Sequence, residues 1–442
     1  MTRHADRPQP VARHGRQKRS RAGLTILRTL AIAVAVVLIS TVSVAAIAVT
    51  RLTSSIQAGT VHLQHESGAT APAGVDAISG GVNLLLVGTD TRSGQGGQFA
   101  NKADQAASSG AGNNDVTILL HIAQDHRSAM VVSFPRDLIL NLPPCPASNG
   151  GYYPASENRM LNSSLARGGL ACPVLTIEKL TGITIPYAAS ITFDGVASMS
   201  NAVGGVTVCV ANSINDPYVG LTLSSGLHPL QGAEALAFVR SRHGVGDGSD
   251  LGRISSQQVF LSALARKIES EGVLRNPLQL YGLATAAAQN MQLSDTLARL
   301  DTMVSIALAL KSVPLENIVM LQYPTTTSPL YPDRVVPVAS TDAAVNKALV
   351  QDLPVQLTGT TGRGSIVDTN PADAAATAPT PTPTPVPTGK DGKPLPGKDR
   401  GFVVPTAAPT PPPTATTPLT ALPTTVTGQT AAEQTCAKGT GK

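Results

Sequence analysis

Val82-Asn83-Leu84-Leu85-Leu86-Val87-Gly88-Thr89-Asp90-Thr91-Arg92 is the stretch whose reading decides the fold. Its first six residues are almost wholly apolar and run straight into Gly88. A run so short and so uniformly apolar reads as a strand covered on both faces. Two further runs, 116–122 and 129–134, have the same character, and 206–210 follows Gly204-Gly205 as another. Between and after them, 173–180, 277–291 and 297–310 read as helices, and 231–240 as a helix or a strand approach. Residues 254–269 form an amphipathic pattern, with Ile254, Phe260 or Leu261, Leu264 and Ile268 at helical spacing. The alternation predicts an α/β body over 81–355, with helices layered on a sheet.

Outward from this body the composition changes. Residues 51–80 are small and polar and read as a stalk. Residues 29–50 carry no charge and are mostly Ala, Val, Ile and Leu. As a helix they would cover about 33 Å, enough for a hydrocarbon core of roughly 30 Å. Residues 1–28 hold eight Lys/Arg and one acid, so the positive-inside rule predicts a cytoplasmic arm, one membrane-spanning helix and an exported body. The run exceeds the apolar length usual in a cleaved signal peptide, which favours an anchor over the Ala46-Ile47-Ala48 cleavage motif. Residues 356–442, rich in Pro, Thr and Ala, read as a disordered, polyproline-like tail. Four cysteines suit an oxidising compartment. Cys145 and Cys172 flank a segment rich in Gly, Pro, Asn and Ser, a natural place for a stapling disulfide. Cys209 and Cys436 could pair or stay free. The formal charge of +5 belongs to the terminal arm, since the rest carries 25 basic against 27 acidic side chains. With no Trp and only 3% aromatics, the chain lacks the stacking platforms of a single-stranded nucleic-acid reader, and no nucleic-acid partner is expected.

Familiar catalytic spacings are absent: there is no G-x-S-x-G, H-E-x-x-H or G-x-x-x-x-G-K-[ST]. Acids and arginines instead gather just beyond strands. Asp90 and Arg92 follow the first, Asp115 precedes the second, and Arg136 and Asp137 follow the third through Pro135. Arg240, Arg242, Asp250, Arg253 and Gln257-Gln258 come later. Sites of open α/β sheets form at strand ends, so these groups can converge. Several guanidinium groups make bidentate clamps on phosphate oxygens, and two carboxylates can hold a Mg²⁺ that bridges the same phosphates. The ensemble points to a pyrophosphate or phosphodiester substrate.

Five segments in this order, 83–92, Ser133-Phe134-Pro135-Arg136-Asp137, Gly204-Gly205-Val206, 230–242 and Asp250-Leu251-Gly252-Arg253-Ile254 with Gln257-Gln258, resemble the LytR-CpsA-Psr family over roughly 82–270. The resemblance implies an α-β-α sandwich with a central mixed sheet and a long apolar pocket for a lipid chain. It implies a phosphotransferase at the outer membrane face that moves a glycan with one phosphate from a polyprenyl-pyrophosphate carrier to peptidoglycan, usually at the 6-hydroxyl of N-acetylmuramic acid. By that resemblance Asp90 and Asp115 contribute to a Mg²⁺ (or Mn²⁺) site. Arg136, Arg240, Arg242 and Arg253 grip the pyrophosphate, Asp250 orients those arginines, and Gln257 lies at the head-group rim. Arg92 is a further phosphate contact, and Asn162 in Met160-Leu161-Asn162 falls on a substrate-binding position. The family often has an Arg two residues before the second-motif Asp, where this chain has Asn113-Asn114-Asp115. Its basic residue before the Gln pair is Ser256 here, and 95–112 is a Gly-, Ser- and Ala-rich insertion. The Ala-rich sequence and Pro/Thr tail point to an actinobacterial source. Two other readings use the same clamp: a pyrophosphatase with water as acceptor, and an envelope protein that binds the lipid-linked glycan without turnover.

Overall fold

The run at 82–87 forms β1 (Val82–Thr89), and the next two apolar runs form β2 (Asn114–Ile122) and β3 (Ala129–Phe134). These assignments come from a computed structural model that describes residues 26–36, 40, 50, 59–63, 80–91, 112–147, 149–270, 277–368 and 419–441. β1 and β2 pair antiparallel, as do β2 and β3. β4 (Tyr187–Ile191) lies parallel to β1. β8 (Ile318–Gln322) lies parallel to β3, after β5 (Val206–Asn212), β6 (Gly226–Leu230) and β7 (Met291–Leu293) in the chain. With β9 (Ser365–Val367), β10 (Gly428–Thr430) and β11 (Thr435–Lys438), two sheets are complete. The central one is seven-stranded and mixed, in the order β7-β4-β1-β2-β3-β8-β10; the second runs β6-β5-β11-β9.

The longer helices of the body are α1 (Ala171–Thr181), α2 (Phe193–Ala202), α3 (Gly232–Arg240), α4 (Asp250–Ser270), α5 (Pro277–Asn290), α6 (Leu300–Ser312) and α7 (Ala339–Val350). One face of the central sheet, with Leu85, Val87, Leu119, Val132 and Leu321, packs against α1 and α7 through Val174, Ile177, Val345 and Leu349. Each fully buried Leu, Ile or Val there contributes roughly 1.5–3 kcal/mol. α4 lies on the opposite face. Gln429 of β10 sits across from Met320, and its amide donates to Gln258 O at 3.3 Å and Ser262 Oγ at 2.9 Å. The second sheet covers the far side of α4, where Val259, Phe260 and Ala263 join Val206, Val208 and Val210 in one cluster. α4 is therefore buried nearly all round from Asp250 to Ala263, and the amphipathic pattern expected for it does not describe its first half.

Two expected boundaries are corrected. The tail is not disordered from 356: β9, β10 and β11 belong to the two sheets, β11 pairs parallel with β5, and residues 420–421 pair with Val355-Gln356. A parallel partner strand satisfies the backbone groups of 435–438, which the Pro/Thr count does not register. The segment 369–418 lies outside the described residues. The stalk assignment fails at its middle, because Val61 N donates to Leu293 O at 2.9 Å and Leu63 is buried in the core. The body thus starts before 81 and ends after 355. Both disulfides form, Cys145–Cys172 and Cys209–Cys436, the second tying β5 to β11. The chain divides into two units, 1–52 and 53–442. In the first, residues 26–36 are helical; most of the predicted span 29–50 lies outside the described residues, and among those described no helix is long and apolar enough to cross a membrane.

Candidate active site

The strand directions bring the predicted acids and arginines to one end of the central sheet. β1, β3, β4 and β8 all finish at that end, and β2 starts there. A cavity of about 250 Å³ opens over it. Asp115 of β2, Arg136 beyond β3, Arg240 at the end of α3, Arg242 two residues on, and Arg253 and Gln257 of α4 all line it. Val116, Ile191, Phe193, Val196 and Val239 give it an apolar wall, and Thr89, Thr192, Tyr218 and His243 also line it. Low local polarity strengthens the attraction of each guanidinium for an anion.

The charged groups brace one another. Arg136 Nη1 donates to Asp115 Oδ1 at 2.6 Å, and its Nε lies 3.5 Å from Asp137 Oδ1. Asp250 Oδ2 accepts from the Arg136 backbone N–H at 3.1 Å, while Asp250 Oδ1 pairs with Arg253 Nη2 at 2.6 Å. The same Nη2 donates to the Asp115 carbonyl oxygen at 2.6 Å. Asp250 and Arg253 are 5% and 6% exposed, so this pair is largely removed from bulk water. Burial opposes the charge on Arg136, but Asp115, Asp137 and Asp250 outweigh it and raise its pKa. The Nε atoms of Arg136, Arg242 and Arg253 are buried without hydrogen-bond partners. Buried donors left in that state call for an acceptor from a ligand or water. Arg240 sits in the last turn of α3, where a cation suits the helix dipole, with its guanidinium carbon 4.1 Å from the centre of the Phe193 ring. Gln257 spends its amide N–H on the Val239 carbonyl at 2.9 Å, which fixes the end of α3 against α4.

Asp216 is a site residue that motif spacing did not single out. It lines the cavity and is fully buried. Its Oδ2 accepts from Ser241 Oγ at 2.8 Å, Arg242 N at 3.0 Å and Gly244 N at 3.1 Å. Its Oδ1 accepts from Tyr218 N at 3.2 Å. Burial raises its pKa, but these four bonds prevail and hold it below the ordinary carboxylate value. Asp216 thus fixes the turn that carries Arg242. The one sequence signal was its position two residues after an apolar residue, Ile214, which is too weak to select it.

The remaining predicted residues stand nearby or outside. Asn162 contributes its backbone, donating to Arg136 O at 3.1 Å and accepting from Asn114 N at 2.9 Å, so it ties the ends of β2 and β3 from behind. It does not line the cavity. Arg92 lies outside the described residues. Asp90 follows β1 and accepts from Asn113 N at 2.6 Å and Asn113 Nδ2 at 3.2 Å. Asp90 and Asp115 come from adjoining strand ends, since Thr89 faces Asn114 in the β1–β2 ladder. Two hard carboxylates fit Mg²⁺ (or Mn²⁺), which takes one or two such ligands and completes its shell with water and substrate phosphate. Among the described residues the one three-ligand cluster, Cys209, Asp368 and Cys436, has both its sulfurs bound in a disulfide.

The LytR_cpsA_psr family model matches residues 48–350. The cell wall biosynthesis protein LcpA of Corynebacterium glutamicum is 29% identical over 242 residues, covering 50% of this chain and 46% of that protein. The polyisoprenyl-teichoic acid–peptidoglycan teichoic acid transferase TagT of Bacillus subtilis is 30% identical over 194 residues, covering 42% and 53%. The chain spans about half the length of these curated relatives. A solved LytR-Csp2A-Psr enzyme from Actinomyces oris superposes with TM-score 0.47 and 21% identity, covering 66% of this chain and 96% of its own. With more than half of its residues matched by that one model, the chain belongs to the LytR_cpsA_psr family.

Proposed function

We propose that this protein is an extracytoplasmic phosphotransferase that moves a glycan, with one phosphate, from a polyprenyl-pyrophosphate carrier to a peptidoglycan hydroxyl. The observation that carries the reading is the convergence of Arg136, Arg240, Arg242 and Arg253 with Asp115 on one cavity at a sheet end. The names of LcpA and TagT agree with it, and wall polymers of their kind are the donor class it favours.

The chemistry follows from the charges. The acceptor oxygen attacks the phosphorus that bears the glycan. A new P–O bond forms as the bond from that phosphorus to the bridging oxygen breaks, and polyprenyl phosphate leaves with the electron pair. Negative charge spreads over the non-bridging oxygens and the leaving group, and fixed guanidinium groups neutralise it without reorganising. Asp250 and Asp115 hold Arg253 and Arg136 in place for this. A Mg²⁺ held by Asp90 and Asp115 would supply further charge neutralisation on the same oxygens. For the lipid, Val116, Ile191, Phe193, Val196 and Val239 offer an apolar wall beside the clamp. The uncharged run 29–50 and the basic arm before it support a single-pass anchor with the body outside, and the two disulfides agree with an oxidising compartment.

The test is incubation of the full-length chain with Mg²⁺, a synthetic polyprenyl-pyrophosphate oligosaccharide and peptidoglycan oligomers. A phosphodiester-linked product is expected. Free glycan phosphate would mean hydrolysis, and tight binding without product would mean a non-catalytic holder of the lipid-linked glycan.

A further inference from the structure

A second cavity, of about 360 Å³, lies beside the first on the same end of the central sheet. The first sits over the ends of β4, β1 and β2; the second sits over the ends of β3 and β8, where Pro135, Asp137 and Thr325 to Thr327 emerge. Arg242 lines both. Asp250 lines the second while its partner Arg253 lines the first, so one ion pair is part of the partition. The two walls differ in chemistry. The first sets its ion clamp beside Val116, Ile191, Phe193, Val196, Val219 and Val239, whereas the second has Ser249, three consecutive threonines and charges of both signs. Its volume falls within the roughly 300–1,000 Å³ of small-molecule sites.

We propose that this second cavity holds the acceptor sugar, and that Asp137 takes the proton of its attacking hydroxyl. The inference rests on the transfer reading above. Group transfer needs two substrates held with their reacting atoms in contact, and two cavities sharing the phosphate-facing Arg242 provide that. The ligand is a hydroxyl-rich sugar bearing carboxylates. Hydroxyls suit the threonine row, and Thr325 Oγ1 is buried there without a hydrogen-bond partner. Carboxylates suit Arg334 and Arg363 on the same wall. A polyprenyl chain finds no comparable apolar wall here. Asp137 is 5% exposed and lines the cavity. Its two ion pairs, with Arg136 Nε at 3.5 Å and Arg334 Nη1 at 3.8 Å, both fall on Oδ1, which leaves Oδ2 for the incoming hydroxyl. Asp250 is a poorer base, since one oxygen is taken by Arg253 and the other by the Arg136 N–H. As the acceptor P–O bond forms, the hydroxyl proton passes to Asp137 and from there to solvent, while polyprenyl phosphate departs with the bridging oxygen.

The experiment uses the full-length chain with Mg²⁺, a polyprenyl-pyrophosphate disaccharide and a peptidoglycan tetrasaccharide. Thr326→Trp fills the cavity from its exposed edge; the acceptor KM should rise at least about tenfold, with the donor Kd unchanged within about twofold. Asp137→Asn should lower kcat about 100-fold at an unchanged acceptor KM, and Asp137→Glu should restore part of it. Wild-type acceptor KM in T326W together with wild-type kcat in D137N would overturn the assignment. If the wild-type chain binds donor but makes no phosphodiester, the transfer reading fails instead. The cavity is then judged by titrating the tetrasaccharide alone: binding lost in T326W upholds it, and equal binding overturns it.

Discussion

At the scale of single residues, the arginines of the clamp are not equivalent. Arg253 joins the Asp250 carboxylate to the Asp115 backbone and is 6% exposed, whereas Arg240 rests on the Phe193 ring at the cavity wall. Arg240→Ala should therefore reduce transfer about 100-fold with little change in melting temperature. Arg253→Ala should reduce transfer at least as much and also destabilise the fold by about 3–5 kcal/mol, because it strands a buried carboxylate. Urea unfolding of the two variants beside the activity assay separates them; equal stability losses would contradict the inequivalence. Asp216 acts through Arg242. Its lowered pKa means that its contribution is fully present above the ordinary Asp value of about 3.9 and is lost as pH falls through the lower folded value. Asp216→Asn should cost about 1–3 kcal/mol at pH 7 and flatten the loss of unfolding free energy as pH falls below the ordinary Asp value of about 3.9. An unchanged acid slope would show that Asp216 is not a stabilising carboxylate. These residues also show the reach of sequence. Arg136, Arg240, Arg242 and Arg253 were legible because each stands at a strand end or within a dense Arg/Asp run. Asp216 was not, because its partners are backbone N–H groups brought to it by a turn.

At the scale of elements, α4 carries the site and the C-terminal segment holds α4. Arg266 Nη1 donates to the carbonyls of Ala431 and Glu433 at 2.9 and 3.0 Å, and Gln429 bonds Gln258 and Ser262. On the opposite side Gly364 passes so close to Gly252 that a Cβ would overlap the Gly252 carbonyl oxygen. Gly364→Ala must therefore push the first turn of α4, which holds Asp250 and Arg253. A loss of about 1–3 kcal/mol in stability is expected, with a fall in transfer larger than that loss explains. Unchanged transfer would mean that the turn tolerates displacement. β1, β2, β3 and β5 and the helices α1, α4, α5 and α6 were readable from hydrophobic runs, and α3 as a helix or a strand approach, whereas β4, β6, β7, β8, α2 and α7 were not singled out. The role of 428–438 was not, because a Pro/Thr-rich stretch precedes it and parallel pairing with a distant strand leaves no local signature. Cys436 was the one clue, and its pairing with Cys209 spans 227 positions. A cross-link of that reach removes about 5 kcal/mol of unfolded-state entropy in the loop-closure treatment.

At the scale of the whole molecule, the mixed topology explains why one sheet end can serve two substrates. Four strands finish and three begin at the same end, so their connections deliver side chains to a single edge. In an all-parallel sheet β2 would begin at the other end, taking Asp115 with it. The reaction proposed for that edge needs a donor anchored in a membrane, which turns the charge distribution into a prediction about topology. Eight basic groups within 1–28 precede an uncharged run, whereas the rest of the chain is nearly neutral. Cells expressing the full-length chain with a tag at each end should retain it in the membrane fraction, and replacing 29–50 by a cleaved signal should release it. Protease added to protoplasts should remove the C-terminal tag and spare the N-terminal one, since translocating the basic arm is disfavoured by about 1 kcal/mol for each Lys/Arg near the anionic surface. A C-terminal tag protected in intact protoplasts would put the arginine edge on the wrong side of the membrane for peptidoglycan, and the transfer reading would fall with it.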